Sequence, residues 1–291
     1  MQATVRTETP ANEAGMSKTK VCLVTGASPG IGYATALEFQ NAGYTVYGVA
    51  RRVERMEALR AAGGHPLAMD MKNEADLERV VDTIMGEQGR IDVLVNNAGI
   101  GLHGSIEETP LDQARALFEV NLFGVARLIQ LVLPQMRQQG SGKIINVSSI
   151  GGEIALPLGA WYYASKHALE ALSDTLRMEV RRFGIDVVIV QPGIIKTDFE
   201  DHTANELRTI SGHGAYQSMA EAMAKRAETA LGADSKANRA SDPSLVAKTI
   251  RKAVEVKQPK PRYAVGYVAG TLLRLNRLLP TRLFDKMVTL G

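Results

Sequence analysis

Short runs of consecutive apolar residues alternate along this chain with longer stretches in which apolar positions recur every three to four residues. Val21-Cys22-Leu23-Val24 is the first run; a glycine-rich turn follows, then a helical pattern to about Ala42, closed by Gly43. Thr45 to Ala50 reads as a second strand, and Arg51 to Ala62 as a helix closed by Gly63-Gly64. His65 to Met69 reads as a third strand ending at Asp70, and Glu74 to Gly86 as a helix. Ile91 to Val95 is a fourth strand, ending at Asn96-Asn97-Ala98-Gly99. Leu111 to Gln138 holds one or two long helical stretches, and Lys143 to Val147 is a strand. Tyr162 to Phe183 reads as a long helix, and Asp186 to Val190 as a strand ending at Gln191-Pro192-Gly193.

Strands that alternate with helices predict a parallel sheet with helices on both faces, a doubly wound α/β architecture. The strands are continuously apolar, as burial on both faces requires. After Thr197 the rhythm breaks into a polar, Ala-rich helical segment, read as a lid over about 199–241. Pro243 to Val256 is a helix and Arg262 to Val265 a last strand, followed by an amphipathic tail over about 263–291. No linker divides residues 20–291, so they read as one domain, preceded by a polar extension over 1–19 expected to be disordered. Met16 is an alternative start within that extension.

Composition narrows the picture. Of 291 residues 45% are apolar, enough for a real core, and the net charge of +3 is too small and scattered to argue for nucleic acid. The single cysteine, Cys22, lies in an apolar strand and excludes an intrachain disulfide. His65, His103, His167, His202 and His213 show no metal-ligand spacing, so no metal is expected. No secretory segment and no apolar run of membrane-spanning length is evident, and a reducing, cytoplasmic setting is expected.

Candidate chemistry sits at the strand ends. Gly26, Gly30 and Gly32 follow the first strand and open a helix, where bare N–H groups suit a dinucleotide pyrophosphate. The second strand ends at Ala50, where an NAD site would place an acid; Arg51 and Arg52 follow instead and suit a 2′-phosphate. Tyr162 and Lys166, four apart, share a helix face, and an ammonium beside a phenol favours the phenolate. Ser149 supplies a hydroxyl for a carbonyl oxygen. Together these groups suit carbonyl reduction or alcohol oxidation.

The chain resembles the short-chain dehydrogenase/reductase (SDR) family from about Lys20 to Thr197. The matching strings are Thr25 to Gly32, Asn96 to Gly99, Asn121 within Val-Asn-Leu-Phe-Gly, Ser149, Tyr162-x-x-x-Lys166 and Pro192 to Thr197. The likeness points to the branch of 17β-hydroxysteroid and retinol-type dehydrogenases and bacterial carbonyl reductases. It implies a Rossmann-type fold and a homodimer or homotetramer built on Leu111–Gln138 and Tyr162–Phe183. It also implies roles. Tyr162 is the acid/base, Lys166 lowers its pKa and bonds the nicotinamide ribose, Ser149 orients the substrate, and Asn121 holds the active-site helix and a water. NADP(H) contacts are implied at Gly26, Ser28, Gly30, Ile31, Gly32, Arg51, Arg52, Asp70, Met71, Asn97, Ala98, Gly99, Pro192, Gly193, Ile195 and Thr197. Spacing to Lys166 selects Tyr162 over Tyr163, which is read as a core or interface aromatic, and the resemblance, through the family's spacing to the tyrosine, selects Ser149 over Ser148, which is expected to bond local backbone.

Substrate choice is assigned to the lid and to the loops 101–106 and 152–159. The apolar Ile154 to Leu158 suggests a hydrophobic ketone or aldehyde, or simply packing beneath the lid. Lys225, Arg226 and Lys236 meet an anionic substrate or a solvated surface. The basic tail, with Arg274, Arg277, Arg282 and Lys286 among leucines, packs on the core or a sister subunit, or contacts a membrane. Two other functions stay open, a 3-oxoacyl thioester reductase and a non-catalytic NADP-binding regulator.

Overall fold

The computed structural model describes residues 19–231 and 240–290. The expected disorder over 1–18 and the lid residues 232–239, Lys236 included, lie outside the described residues. The chain runs β1 (Val21–Thr25), α1 (Gly30–Asn41), β2 (Thr45–Ala50), α2 (Glu57–Ala61), β3 (His65–Ala68), α3 (Glu74–Gln88), β4 (Val93–Asn96), α4 (Leu111–Phe118), α5 (Gly124–Gln139) and β5 (Gly142–Val147). It continues through α6 (Ala160–Val180), β6 (Ile185–Pro192), α7 (Asp198–Ser211), α8 (Gln217–Leu231), α9 (Pro243–Glu255), β7 (Arg262–Val265), α10 (Ala269–Leu278) and α11 (Thr281–Leu290).

The seven strands make one parallel sheet in the order β3-β2-β1-β4-β5-β6-β7. Successive residues of β1 enter opposite layers. Val21 and Leu23 join the core beneath α3, α5 and α6, while Cys22 and Val24 join the one beneath α1 and α9. Both faces therefore demand apolar side chains, which accounts for the unbroken apolar runs. Burial pushes the Cys22 thiol well above its usual value, consistent with an inert thiol.

Local chemistry sets the helix ends. Asn73 caps α3 by accepting from the Ala75 N–H, and Gly89 closes it in the left-handed region at φ 68°. Asp242 caps α9 by accepting from Ser244, with Pro243 at the first helical position.

Three expectations need adjusting. The helix predicted over 51–62 is a 3-10 turn at Val53–Met56 followed by the short α2. The 111–138 stretch is one continuous helix interrupted by a π turn at Glu119–Phe123. That 29-residue helix, Leu111–Gln139, is long and apolar enough to cross a membrane by length and composition, which the sequence reading missed. Its apolar residues Val125, Leu128, Ile129, Val132 and Met136 are buried on the sheet, which explains the composition without a bilayer.

The lid helices α7 and α8 pack through Ala204, Leu207, Ala220 and Ala224 against Leu158. The tail helices α10 and α11 bury Leu273 and Phe284 against Ile154.

Candidate active site

The strand order reverses direction between β1 and β4, and crevices at such switch points are where open α/β sheets bind ligands. Gly26 and Gly30 take φ values of +66° and +59°, which side chains resist. A Cβ on Gly32 would lie 2.2 Å from the Gly26 carbonyl oxygen, so only glycine lets α1 start this close to β1. Pro29, at the N-cap, gives α1 no side-chain cap, and the first turn holds no acid. The first N–H groups of α1 are thus left for an anion, which fits a dinucleotide pyrophosphate. Thr197 closes the far side, with its Cγ2 2.9 Å from where a Cβ of Gly30 would stand.

Asn97 and Ala98 brace this turn. The Thr25 hydroxyl accepts from both backbone N–H groups at 3.0 and 2.9 Å, and the Asn97 amide donates to the Thr25 and Gly26 carbonyls. At the end of β2, Ala50 is buried and Arg51 and Arg52 are exposed, so two guanidinium groups and no carboxylate stand there. Asp70 follows β3 and accepts from the Lys72 N–H at 3.0 Å. Met71 points its side chain into the core, leaving only its backbone for a ligand. Pro192 ends β6; Gly193 packs against the Tyr267 carbonyl, and the Ile195 side chain is core. Ser28 and Ile31 lie in the glycine turn and the first turn of α1.

The reactive groups gather beyond β4 and β5. Tyr162 and Lys166, on α6, are 9% and 6% exposed, and the ammonium lies 5.9 Å from the phenol ring centre. Lys166 donates to the Val147 carbonyl at 3.1 Å, which places it at the end of β5. Burial pulls its pKa down to about 8, opposed by the charge of Glu170. Ser149 accepts from the Gly151 N–H at 3.0 Å, and no described residue accepts from its hydroxyl, which leaves that O–H to donate to a substrate oxygen. Asn121, in the π turn, is 1% exposed; it accepts from the Ile100 N–H and donates to the Ile100 carbonyl and the Ser165 hydroxyl. Ser165 in turn donates to the Tyr162 carbonyl at 2.7 Å, so Asn121 is tied to the helix turn that carries the tyrosine.

The two adjacent tyrosines separate cleanly. Tyr163 wedges its ring between Gly151 and Gly159, where a Cβ on either would lie within 2.7 Å of it. Tyr162 instead meets Lys166 and His103. Ser148 departs from expectation: its buried hydroxyl has no hydrogen-bond partner among the described residues, and its N–H bonds backbone, to the Val190 carbonyl. The N–H groups that follow it are taken by its neighbours: Gly151 donates to the Ser149 hydroxyl, Gly152 to the Ser149 carbonyl and Glu153 to the Ile150 carbonyl.

Sequence reasoning missed His103. Its ring centre lies 5.6 Å from that of Tyr162, and the lid residue Glu206 accepts from its backbone N–H and contacts its Nδ1, both at 3.2 Å. The sequence places it in the 101–106 loop assigned to substrate choice but gives it no role of its own; its place just beyond Asn97-Ala98-Gly99 is the available signal. Ile154 and Leu158 prove to be packing residues for the tail and lid. Lys225 is exposed beside Glu221 and Arg226 is exposed, a solvated lid surface.

Residues 20–208 match the family described as short chain dehydrogenase. A probable short-chain type dehydrogenase/reductase, VdlC, from Helicobacter pylori is 34% identical over 93% of this chain and 98% of its own. A 3-ketodihydrosphingosine reductase from Bacteroides thetaiotaomicron is 41% identical over 63% of this chain and 66% of its own. A metagenomic short-chain oxidoreductase solved in complex with NADP is 28% identical, with a TM-score of 0.65 over 84% of this chain and 96% of its own. The chain belongs to the short-chain dehydrogenase/reductase family, and with it to the oxidoreductases that act on CH–OH and C=O groups.

Proposed function

We propose that the protein is an NADP(H)-dependent carbonyl reductase or secondary-alcohol dehydrogenase for hydrophobic ketones or aldehydes. The observation that carries this reading is the convergence of Tyr162, Lys166 and the donor-ready Ser149 beyond β5, beside a glycine turn fit for a pyrophosphate. Bound NADP(H) supplies or accepts the hydride. The Ser149 hydroxyl holds the substrate oxygen, and Tyr162 delivers a proton to that oxygen in reduction or takes it in oxidation. Lys166 sets the proton affinity of Tyr162 and holds the ribose; Asn121 fixes the tyrosine turn through Ser165.

The exposed pair Arg51–Arg52, with no acid at the end of β2, supports preference for the 2′-phosphate. The NADP bound to the metagenomic relative agrees with that preference. Leu102 and Ile210 near His103, with the ketone named for the Bacteroides relative, favour an apolar substrate. Association of two or four copies through α5 and α6 belongs to the same reading.

The test is decay of NADPH and NADH absorbance across ketones, aldehydes and 3-oxoacyl thioesters, with Tyr162→Phe alongside. Turnover of an apolar ketone with NADPH, a rate at least tenfold lower with NADH, and loss of turnover in the variant are expected. A variant with near-normal turnover would sink the assignment. Reduction of thioesters alone would replace it with the acyl-thioester reading.

A further inference from the structure

Behind Ser149 and Lys166 lies a cluster of charges that the proposed chemistry does not use. Glu153 sits in the loop that follows Ser149, and its side chain is 19% exposed. Arg277, on α10, grips its carboxylate at 2.8 and 3.1 Å, and Asn276 donates to its backbone carbonyl at 2.9 Å. Glu170, one turn beyond Lys166 on α6, is 6% exposed on its side chain and accepts from Arg262 of β7 at 2.9 Å. One amide, that of Gln191 on β6, donates to both carboxylates, at 2.6 and 3.1 Å. Arg262 also reaches Asp174, which Arg177 contacts from within α6.

The loop has little room to move. A Cβ on Gly152 would lie 2.6 Å from the Ser148 hydroxyl and 2.7 Å from Glu170 Cγ, so the loop backbone rests directly on the glutamate. Ile150 and Ile154 flank this contact and pack against Leu273 and Phe284 of the tail. A buried and a half-buried carboxylate bridged by a neutral amide repel one another unless cations neutralise both. Two of the cations come from the C-terminal segment, Arg262 and Arg277, and the Lys166 ammonium adds a third charge beside Glu170. Burial drives the Glu153 carboxyl upward, yet the hydrogen bonds from Gln191 and Arg277 and the two guanidinium charges together hold it below its ordinary range.

We propose that β7 and α10 form a clamp in which Arg277 and Arg262, acting through Glu153 and Glu170, are positioning residues for the Ser149 loop and the Lys166 turn. The inference rests on the reductase reading for its kinetic consequence and on contacts alone for its structural one. Arg277 is largely exposed, so Arg277→Ala is a mild change to the fold. Its effect on chemistry comes from freeing the loop that places the substrate oxygen, where small misplacement is costly.

Purified full-length Arg277→Ala, Arg277→Lys, Glu153→Gln and the Glu153→Gln/Arg277→Ala double variant test this. For Arg277→Ala, kcat with the preferred ketone falls about tenfold, the KM for NADPH stays within twofold, and amide exchange over 150–154 quickens. Arg277→Lys recovers part of the rate, and the double variant is no slower than the worse single one. Wild-type kcat and unchanged exchange in Arg277→Ala overturn the clamp. So do losses that multiply in the double variant, or a rate loss matched by loss of NADPH binding. If the wild type reduces no carbonyl compound the reductase reading falls, and the exchange measurement alone then decides the clamp.

Discussion

Lys166 shows how one buried side chain links mechanism to stability. Its folded pKa, about 8, lies below the ordinary 10.5 because burial disfavours the ammonium. The unfolded chain therefore holds more protons between those values, and stability contributed by this group rises with pH across that window. Below about pH 8 the penalty is fully present, at about 3 kcal/mol from a shift of that size. The expected outcome is read from thermal melts of cofactor-free wild type and Lys166→Met. Their difference should move in the wild type's favour as pH rises from 8 to 10.5, and parallel pH profiles would contradict it. The nearness of Tyr162 to Lys166 and the place of Ser149 just past β5 were legible in the sequence because helix spacing and strand ends are local properties. His103, Glu170 and Ser148 were not. Glu206 lies 103 positions from His103, Arg262 lies 92 from Glu170, and the bare Ser148 hydroxyl follows from a turn whose N–H groups bond Ser149 and Ile150 instead.

The π turn at Glu119–Phe123 is the element whose form the pattern of apolar residues concealed. A π turn admits one extra residue into the helix, so the apolar stripe of α4 is re-phased before α5 resumes it. Gly124 follows because a Cβ there would lie 2.4 Å from the Met71 carbonyl oxygen, which brings the π turn and the end of β3 together. The turn presents Asn121 to the Ile100 backbone and to Ser165. Asn121→Ala strands those groups without partners. We expect a loss of roughly 2–3 kcal/mol in urea denaturation and a lower kcat. Unchanged stability would mean that water satisfies these groups without strain. The strands were read well because burial on both faces writes them as apolar blocks, whereas α2, only five residues long, has too few turns to show a period.

At the scale of the whole molecule, several of the exposed apolar side chains among the described residues lie on the helices that cover one face of the sheet. Leu111, Phe123 and Met178 are each more than half exposed, and Leu133 and Pro134 of α5 with Val180 and Phe183 line a shallow pocket of about 240 Å³ that Gln130 and Arg137 border. Patches of this kind on long surface helices mark association sites. Sedimentation equilibrium is expected to give a dimer or tetramer, and Phe123→Glu with Met178→Glu to shift it toward monomer. A monomeric wild type at micromolar concentration would refute the interface. The single sheet was foreseeable from strand–helix alternation, and the helices α7 and α8 from its break after Thr197. The seat of the tail was not, because a basic amphipathic helix reads alike whether it covers a core, a sister subunit or a membrane.

The pairing of β7 with β6 has a temporal side. Arg262 and Arg277 are synthesised more than a hundred residues after Ser149, and strands β1 to β6 precede both of them. Contacts so distant in sequence form late and slowly. During that interval Glu153 and Glu170 face each other without their guanidinium partners. A growing chain can thus assemble the crevice proposed for the nucleotide first and receive the proposed clamp on the Ser149 loop only when β7 and α10 dock, which would set a delay between holding a cofactor and using it.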